Sequence, residues 1–202
     1  MASPSLVSTR LFALALAGCA FSLSARAHAD TSIIRHAGDH SRYSFEAEPH
    51  LLLGLFNPPG PAYGTGFGVG FRGTVIVLDN GFVPTINNSI GIGFGADWVH
   101  YGSGGRPICV TDTGPSQVPT CNTDSVSELW FPVVMQWNFF LSRQWSVFGE
   151  PGLALRYQSV PGVRDLNLDP QLYVGGRWHF SDQMTLTMRL GYPTFSVGVS
   201  FM

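Results

Sequence analysis

The chain has 202 residues, 45 % hydrophobic, 13 % aromatic and 12 % charged, with 24 glycines and a formal net charge of −2. The length argues for a single domain, while charge is about half and glycine nearly twice what globular chains carry. All 11 basic residues are arginine, so no basic face for nucleic acid is on offer, and the aromatic content excludes a disordered tail. A water-exposed surface so poor in charge would be unusual. Composition points to a chain whose surface is not wholly in water.

Arg10 precedes the apolar run LFALALAGCAFSLSA, and Ala27-His28-Ala29 follows as a small-residue cleavage site before Asp30. That order is a secretory signal peptide over 1–29; the run is too short, and too rich in Ala and Ser, for a spanning helix. Leu16-Ala17-Gly18-Cys19 reads alternatively as a lipobox with Cys19 acylated, and both readings export the protein. A polar leader, 30–43, comes next. Its His36, Asp39 and His40 are metal-ligating types but read as solvated residues. Beyond residue 30 no apolar run is long enough for a transmembrane helix. From residue 30 onward, nine arginines against 13 acids exclude a polybasic membrane anchor.

From residue 44 onward one period recurs, and it is two. Alternation is strict in 89–98 (Ile90, Ile92, Phe94, Ala96 and Trp98 between Ser, Gly and Asp), in 183–191 and in 195–201. Weaker versions occupy about 45–56, 64–77, 128–140, 145–158 and 171–180. Period two with one apolar face predicts β-strands, here eight. Most are about as long as the 9–11 residues of a tilted membrane-crossing strand. The connections alternate too. Turns 78–88, 141–144 and 181–182 lie at one end, and 57–63, 102–127, 159–170 and the corner Tyr192-Pro193-Thr194 at the other. Short inner turns with longer outer loops suit a bacterial outer-membrane barrel with both termini inside. Cys109 and Cys121 fall in the longest outer loop. In an exported compartment the expectation is a disulfide, worth roughly 3 kcal/mol in the chain-entropy model.

Eight strands also make soluble, ligand-binding barrels with the apolar face inward. The second face here is Gly, Ser and Thr with scattered Arg and Glu, which suits a narrow interior better than a water-facing surface. The apolar face is then the lipid-facing band. Trp98, Tyr157 and Tyr192 form an outer aromatic girdle, with Trp137, Trp145, Trp178 and Phe201 as the inner one. Pro49, Pro132 and Pro151 fall inside strands of a barrel without edges, and predict β-bulges or water-facing breaks.

In this architecture, over about 44–202, the chain resembles the small eight-stranded outer-membrane barrels similar to outer-membrane proteins A and X. Its last strand, FSVGVSFM, looks like the C-terminal signal of such proteins. The resemblance implies an up-and-down all-β barrel, outer-membrane lipid as surroundings, and recognition by the barrel-assembly machinery through the strand ending at Phe201.

The register turns Glu46, Glu48, His50, Arg72, Asp97, Glu128, Glu150, Arg156, Arg177, His179 and Arg189 inward. By distance from the strand ends they divide into a lower group (Glu46, Glu48, Glu150, Arg177) and an upper one (Asp97, Glu128, Arg156, Arg189), with Arg72 between. Buried charges must be paired, so a nearly balanced set reads as a structural network filling the lumen. The alternative is a narrow charge-gated pore for small solutes. His179-Phe180-Ser181 resembles the His-x-Ser element of outer-membrane lipid A deacylases, but lies at an inner turn. Gly68 to Gly73 matches G-x-G-x-x-G without the helix a dinucleotide site requires. No catalysis, cofactor or metal is expected. The expected role is structural, or surface interaction through the outer loops, with 102–127 naming no partner.

Overall fold

A computed structural model describes residues 36–55, 64–102, 108–111, 119–122, 125–160 and 163–202, with the side chains of 108–111, 119–122, 159–160 and 163–164 left aside. The signal-peptide assignment over 1–29 and Cys19 lie outside these residues. Eight strands, β1 (Phe45–Gly54), β2 (Gly66–Leu78), β3 (Asn88–Tyr101), β6 (Val126–Phe140), β7 (Trp145–Val160), β8 (Val163–His179), β9 (Met184–Tyr192) and β10 (Phe195–Phe201), close into one barrel. Each pairs antiparallel with its neighbours, and β1 closes the ring against β10. A separate two-stranded ribbon, β4 (Ile108–Thr111) with β5 (Pro119–Asn122), stands in the long outer connection. Its register sets Cys109 opposite Cys121.

Alternation does what it predicts. Along β6 every second residue from Val126 to Phe140 is buried, and along β10 Ser196, Gly198 and Ser200 are buried between Phe195, Val197, Val199 and Phe201. Closure leaves the two faces unlike. Phe67, Val69, Phe71, Phe94, Val133, Leu153, Leu172, Val174 and Leu190 stand exposed outside, and Glu46, Glu48, Arg72, Glu150, Arg177 and Arg189 are buried inside. The charges therefore lie within and a broad apolar surface without, the reverse of a water-soluble ligand-binding barrel. Among the girdle residues, Trp98 and Tyr192 at outer strand ends and Trp145 and Phe201 at inner ends are exposed on the outer surface. Tyr157, Trp137 and Trp178 are half-exposed.

Three expectations change. β8 begins at Val163, so most of the anticipated loop 159–170 is a β7–β8 hairpin, whose β8 arm runs beyond its last β9 partner, Leu172. The prolines make no bulges. Pro49, Pro132 and Pro151 are each in register with a residue of one neighbouring strand, Phe71, Ala154 and Leu172. On the other side the ladder lapses for two residues and resumes in the same register: Ala47↔Phe201 to His50↔Gly198, Phe94↔Val133 to Asp97↔Trp130, and Val134↔Gly152 to Trp137↔Gly149. A ring nitrogen with no hydrogen deletes one bond, and the neighbouring pairs hold the strand in line. The one register shift among the described strands is at Ile76/Leu78, where β2 meets the inner turn.

The leader also departs from a solvated tail. His40 stacks on Phe140 with centroids 4.3 Å apart, its Nε2 lies 2.7 Å from Asp79 O, and Ile76 N donates to Ser44 O at 3.0 Å. Residues 36–44 thus pack against the inner mouth.

Candidate functional site: the filled lumen

Eight strands enclose an interior just wide enough for side chains to fill, and inward positions on different strands converge on a common axis. Arg189 of β9 reaches two acids on two strands. Its Nη1 and Nη2 donate to the two oxygens of Glu48, the latter at 2.8 Å, and its Nε donates to Glu150 Oε2 at 3.0 Å. Arg72 donates to the same Glu150 oxygen at 3.0 Å and to Asp97 Oδ2 at 3.3 Å. His50 Nε2 lies 2.8 Å from Asp97 Oδ1, and Ser200 donates to Glu48 at 2.9 Å. Below them Arg177 donates to Glu46 at 2.8 Å and to Asn138 Oδ1 at 3.1 Å. Phe148 lies under both Arg177 and Arg189, 4.7 and 5.1 Å from their guanidinium carbons. Glu150 and Arg177 are 0 % exposed, so each of these charges depends on its partners.

The pairing is not the one strand-end counting gave. Arg189 belongs with Glu48 and Glu150, and Asp97 with Arg72 and His50. Hydrogen-bonded rows climb around a barrel because its strands tilt and stagger, so equal distance from a strand end is not equal height. The upper ionic group consists of Arg156 with Glu128 at 3.2 Å and with Asp169 at 2.6 Å, under a cation–π contact to Trp130 at 5.4 Å. Asp169 lies in a segment that Pro161, Gly162 and Pro170 mark as a loop in sequence, although Asp165, Asn167 and Asp169 do alternate with leucines.

The outer part of the lumen holds a second, apolar filling that the sequence reading missed. Leu52, Val99, Tyr101 and Val126 form a buried cluster, with Trp130 and Tyr173 also turned inward. Tyr101 lies so close to Gly54 and Gly66 that a Cβ on either would strike its ring. Those two glycines, opposite each other on β1 and β2, make room for the phenol against the adjoining barrel wall. Ionic and apolar side chains thus fill different levels of the described lumen.

At the inner end Tyr43 donates to Glu46 Oε2 at 3.4 Å. Burial, with the Glu46 carboxylate beside it, pushes its hydroxyl above the ordinary phenol range. His179 stands outside the ionic network, its Nε2 2.9 Å from Ser146 Oγ, and Ser181 Oγ accepts from Gln183 N at 3.3 Å. The structure does not bring His179 and Ser181 together as a dyad. The G-x-G-x-x-G match lies wholly within β2.

No protein-family model matches the chain, and no curated protein matches it. Among solved structures it is similar to Ail, the attachment invasion locus protein of Yersinia pestis, in complex with the heparin analogue sucrose octasulfate. The identity is 8 % and the TM-score 0.45, over 78 % of this chain and 96 % of that one. It is also similar to Ail in a phospholipid bilayer nanodisc, with 8 % identity and TM-score 0.42 over 79 % and 99 % of the two chains. A further crystal structure of Ail gives 11 % identity and TM-score 0.39 over 78 % and 95 %. The strand order and register stand by themselves: the chain is an all-β, closed, eight-stranded, up-and-down antiparallel barrel.

Proposed function

We propose that the chain is an exported, integral outer-membrane barrel with a closed lumen, acting at the cell surface through its outer edge and loops. In this reading 1–29 is the removed signal peptide, 30–43 the leader and 44–202 the barrel. The ionic network is its structural filling, and Phe201 ends the strand read by the assembly machinery. The apolar exterior requires lipid, because so much contiguous exposed hydrophobic surface is an aggregation liability in water. Closed barrels satisfy every backbone group without an edge inside the bilayer.

The observation that carries the surface role is the length of β8. Its last residue paired to β9 is Leu172, opposite Tyr192, yet the strand runs on to Val163 with β7 alone beside it. Unpaired strand edges accept an additional strand. This one is flanked by Leu166 and Leu168, 60 % and 64 % exposed, and by Asp165, Asn167 and Asp169 on the other face. The β4–β5 ribbon adds a second outer element, in which a Cys109–Cys121 disulfide would fix the hairpin; non-reducing mass spectrometry should find the chain two hydrogens lighter.

The test uses Gram-negative cells exporting the full chain, applied to an immobilised panel of extracellular proteins. They should gain binding that Asn167→Pro on the β8 edge removes without loss of folded barrel. Binding equal in the variant would contradict the edge. Planar-bilayer recordings should show no discrete conductance steps. Steps altered by Arg72→Ala or Glu150→Ala would favour a charge-gated pore instead.

A further inference from the structure

The ring closes where the first barrel strand, β1, meets the last, β10. Five register pairs join them, fewer than join any other neighbours in the described barrel, and β1 makes ten with β2 on its other side. The lapse in this short ladder falls at Glu48 and Pro49, opposite Ser200 and Val199, between Ala47↔Phe201 and His50↔Gly198. Pro49 has no N–H to contribute there. Unpaired strand edges are costly inside a bilayer, because nothing in lipid satisfies them. The backbone alone therefore makes this seam the weak junction of the ring.

Side chains cross the seam where the ladder does not. Glu48 of β1 is 1 % exposed and accepts from Ser200 of β10 at 2.9 Å. It also accepts from both terminal nitrogens of Arg189, which stands one strand further away, on β9. Arg189 can reach over β10 because that strand turns only Ser196, Gly198 and Ser200 inward. At Gly198 a Cβ would lie 2.6 Å from the Cβ of His50 and 3.0 Å from Glu48 Oε1, so the glycine also lets β1 approach. Likewise Arg177 of β8 reaches past β9 and β10 to Glu46 of β1 at 2.8 Å. Arg72, in register beside Glu48 on β2, donates instead to Glu150 and Asp97. The acids of the first strand are thus paired by arginines 131 and 141 residues later in the chain, so their charges are neutralised as the ring closes. We propose that Glu48 is the latch of the β1–β10 seam. It ties β1 to β9 and β10 from within the lumen, supplying the hold that the ladder lacks at Pro49, and the barrel opens first at this seam when the tie is cut.

The experiment transfers the full chain, folded in detergent micelles, into heavy water and follows amide exchange in its peptides by mass spectrometry. Where reclosing outpaces exchange, the rate at an amide reports the population of its open state. Glu48→Gln removes the ionic tie while leaving Arg189 with Glu150. It should speed the seam-facing amides of 45–54 and 195–201 about tenfold or more, with 126–140 unchanged. Glu150→Gln disturbs the same arginine from β7, away from the seam, and should not produce that pattern. A disulfide between Leu51→Cys and Val197→Cys, a register pair on the outer face, should abolish the increase caused by Glu48→Gln. The difference in gel mobility between boiled and unboiled samples shows which variants fold. Should Glu48→Gln fail to fold, Ser200→Ala, which removes only the neutral donor, should give a smaller increase in the same two segments. Exchange in the folded variants that rises evenly around the barrel, rises elsewhere first or does not rise at all overturns the proposal. So does a seam increase that Glu150→Gln reproduces or that the disulfide leaves in place.

Discussion

The inner and outer parts of the lumen solve the same packing problem with opposite chemistry. Around Arg189, four strands contribute charges that depend on one another: Glu48, Glu150, Arg72 and Asp97 form a single connected set. Around Tyr101 the filling is Leu52, Val99 and Val126, held by shape. The difference lies in what each region loses when one member is removed. An ionic set leaves a buried unpaired charge, whereas an apolar set leaves a void. The two also differ in company, because the apolar cluster shares its end of the barrel with the partly exposed Arg156 group, whose side chains reach 21–22 % exposure.

The sharpest way to break this comparison is Arg189→Met. It strands Glu48 and Glu150 together, and should cost about 3–5 kcal/mol in denaturant unfolding followed by tryptophan fluorescence in micelles. Adding Glu48→Gln and Glu150→Gln should recover much of that loss, because an ionic group replaced as a whole is often nearly neutral. Tyr101→Ala should cost about 2–4 kcal/mol through the void it leaves. It should still produce no conductance steps, since the ionic layer beneath remains. Gly66→Val pushes the Tyr101 ring from its place and should cost about 1–3 kcal/mol by overpacking, a loss that Tyr101→Ala in the same chain should relieve. Arg156→Ala is the smallest case, about 1–2 kcal/mol, because the buried Glu128 keeps Trp130 Nε1 as a donor and the other carboxylate partner, Asp169, reaches water. An Arg156 effect as large as that of Arg189 would erase the distinction between the two ionic groups.

Legibility in the sequence followed the same division. The inner lumen could be read because Glu46 and Glu48, or Arg177 and His179, alternate against apolar neighbours, and period two assigns them to one face. All eight strands were found for that reason, most to within three residues at either end. The outer lumen could not be read this way. In 98–101 (Trp98, Val99, His100, Tyr101) both faces carry rings or apolar groups, so no polar face marks which residues turn inward. β8 failed differently: Asp165 to Asp169 alternates well, but Pro161, Gly162 and Pro170 punctuate it like a loop. Pro170 is tolerated because it lies beyond the last β9 partner, on the free edge. Pairing across the lumen was illegible for a third reason. It depends on the stagger of the closed barrel, a property of all eight strands together, so distance from the strand ends sets Arg189 beside Asp97 and not beside Glu48.

The central claim is an inverted barrel, apolar outside and charged within, built to sit in lipid. Its most direct test is to export the full chain in a Gram-negative host, isolate the outer membranes, and run the protein on a detergent gel with and without boiling. The account predicts that it is found in that fraction and that the unboiled sample migrates faster, as a folded barrel that resists cold detergent. A protein recovered in the soluble periplasm, with the same mobility before and after boiling, would contradict it.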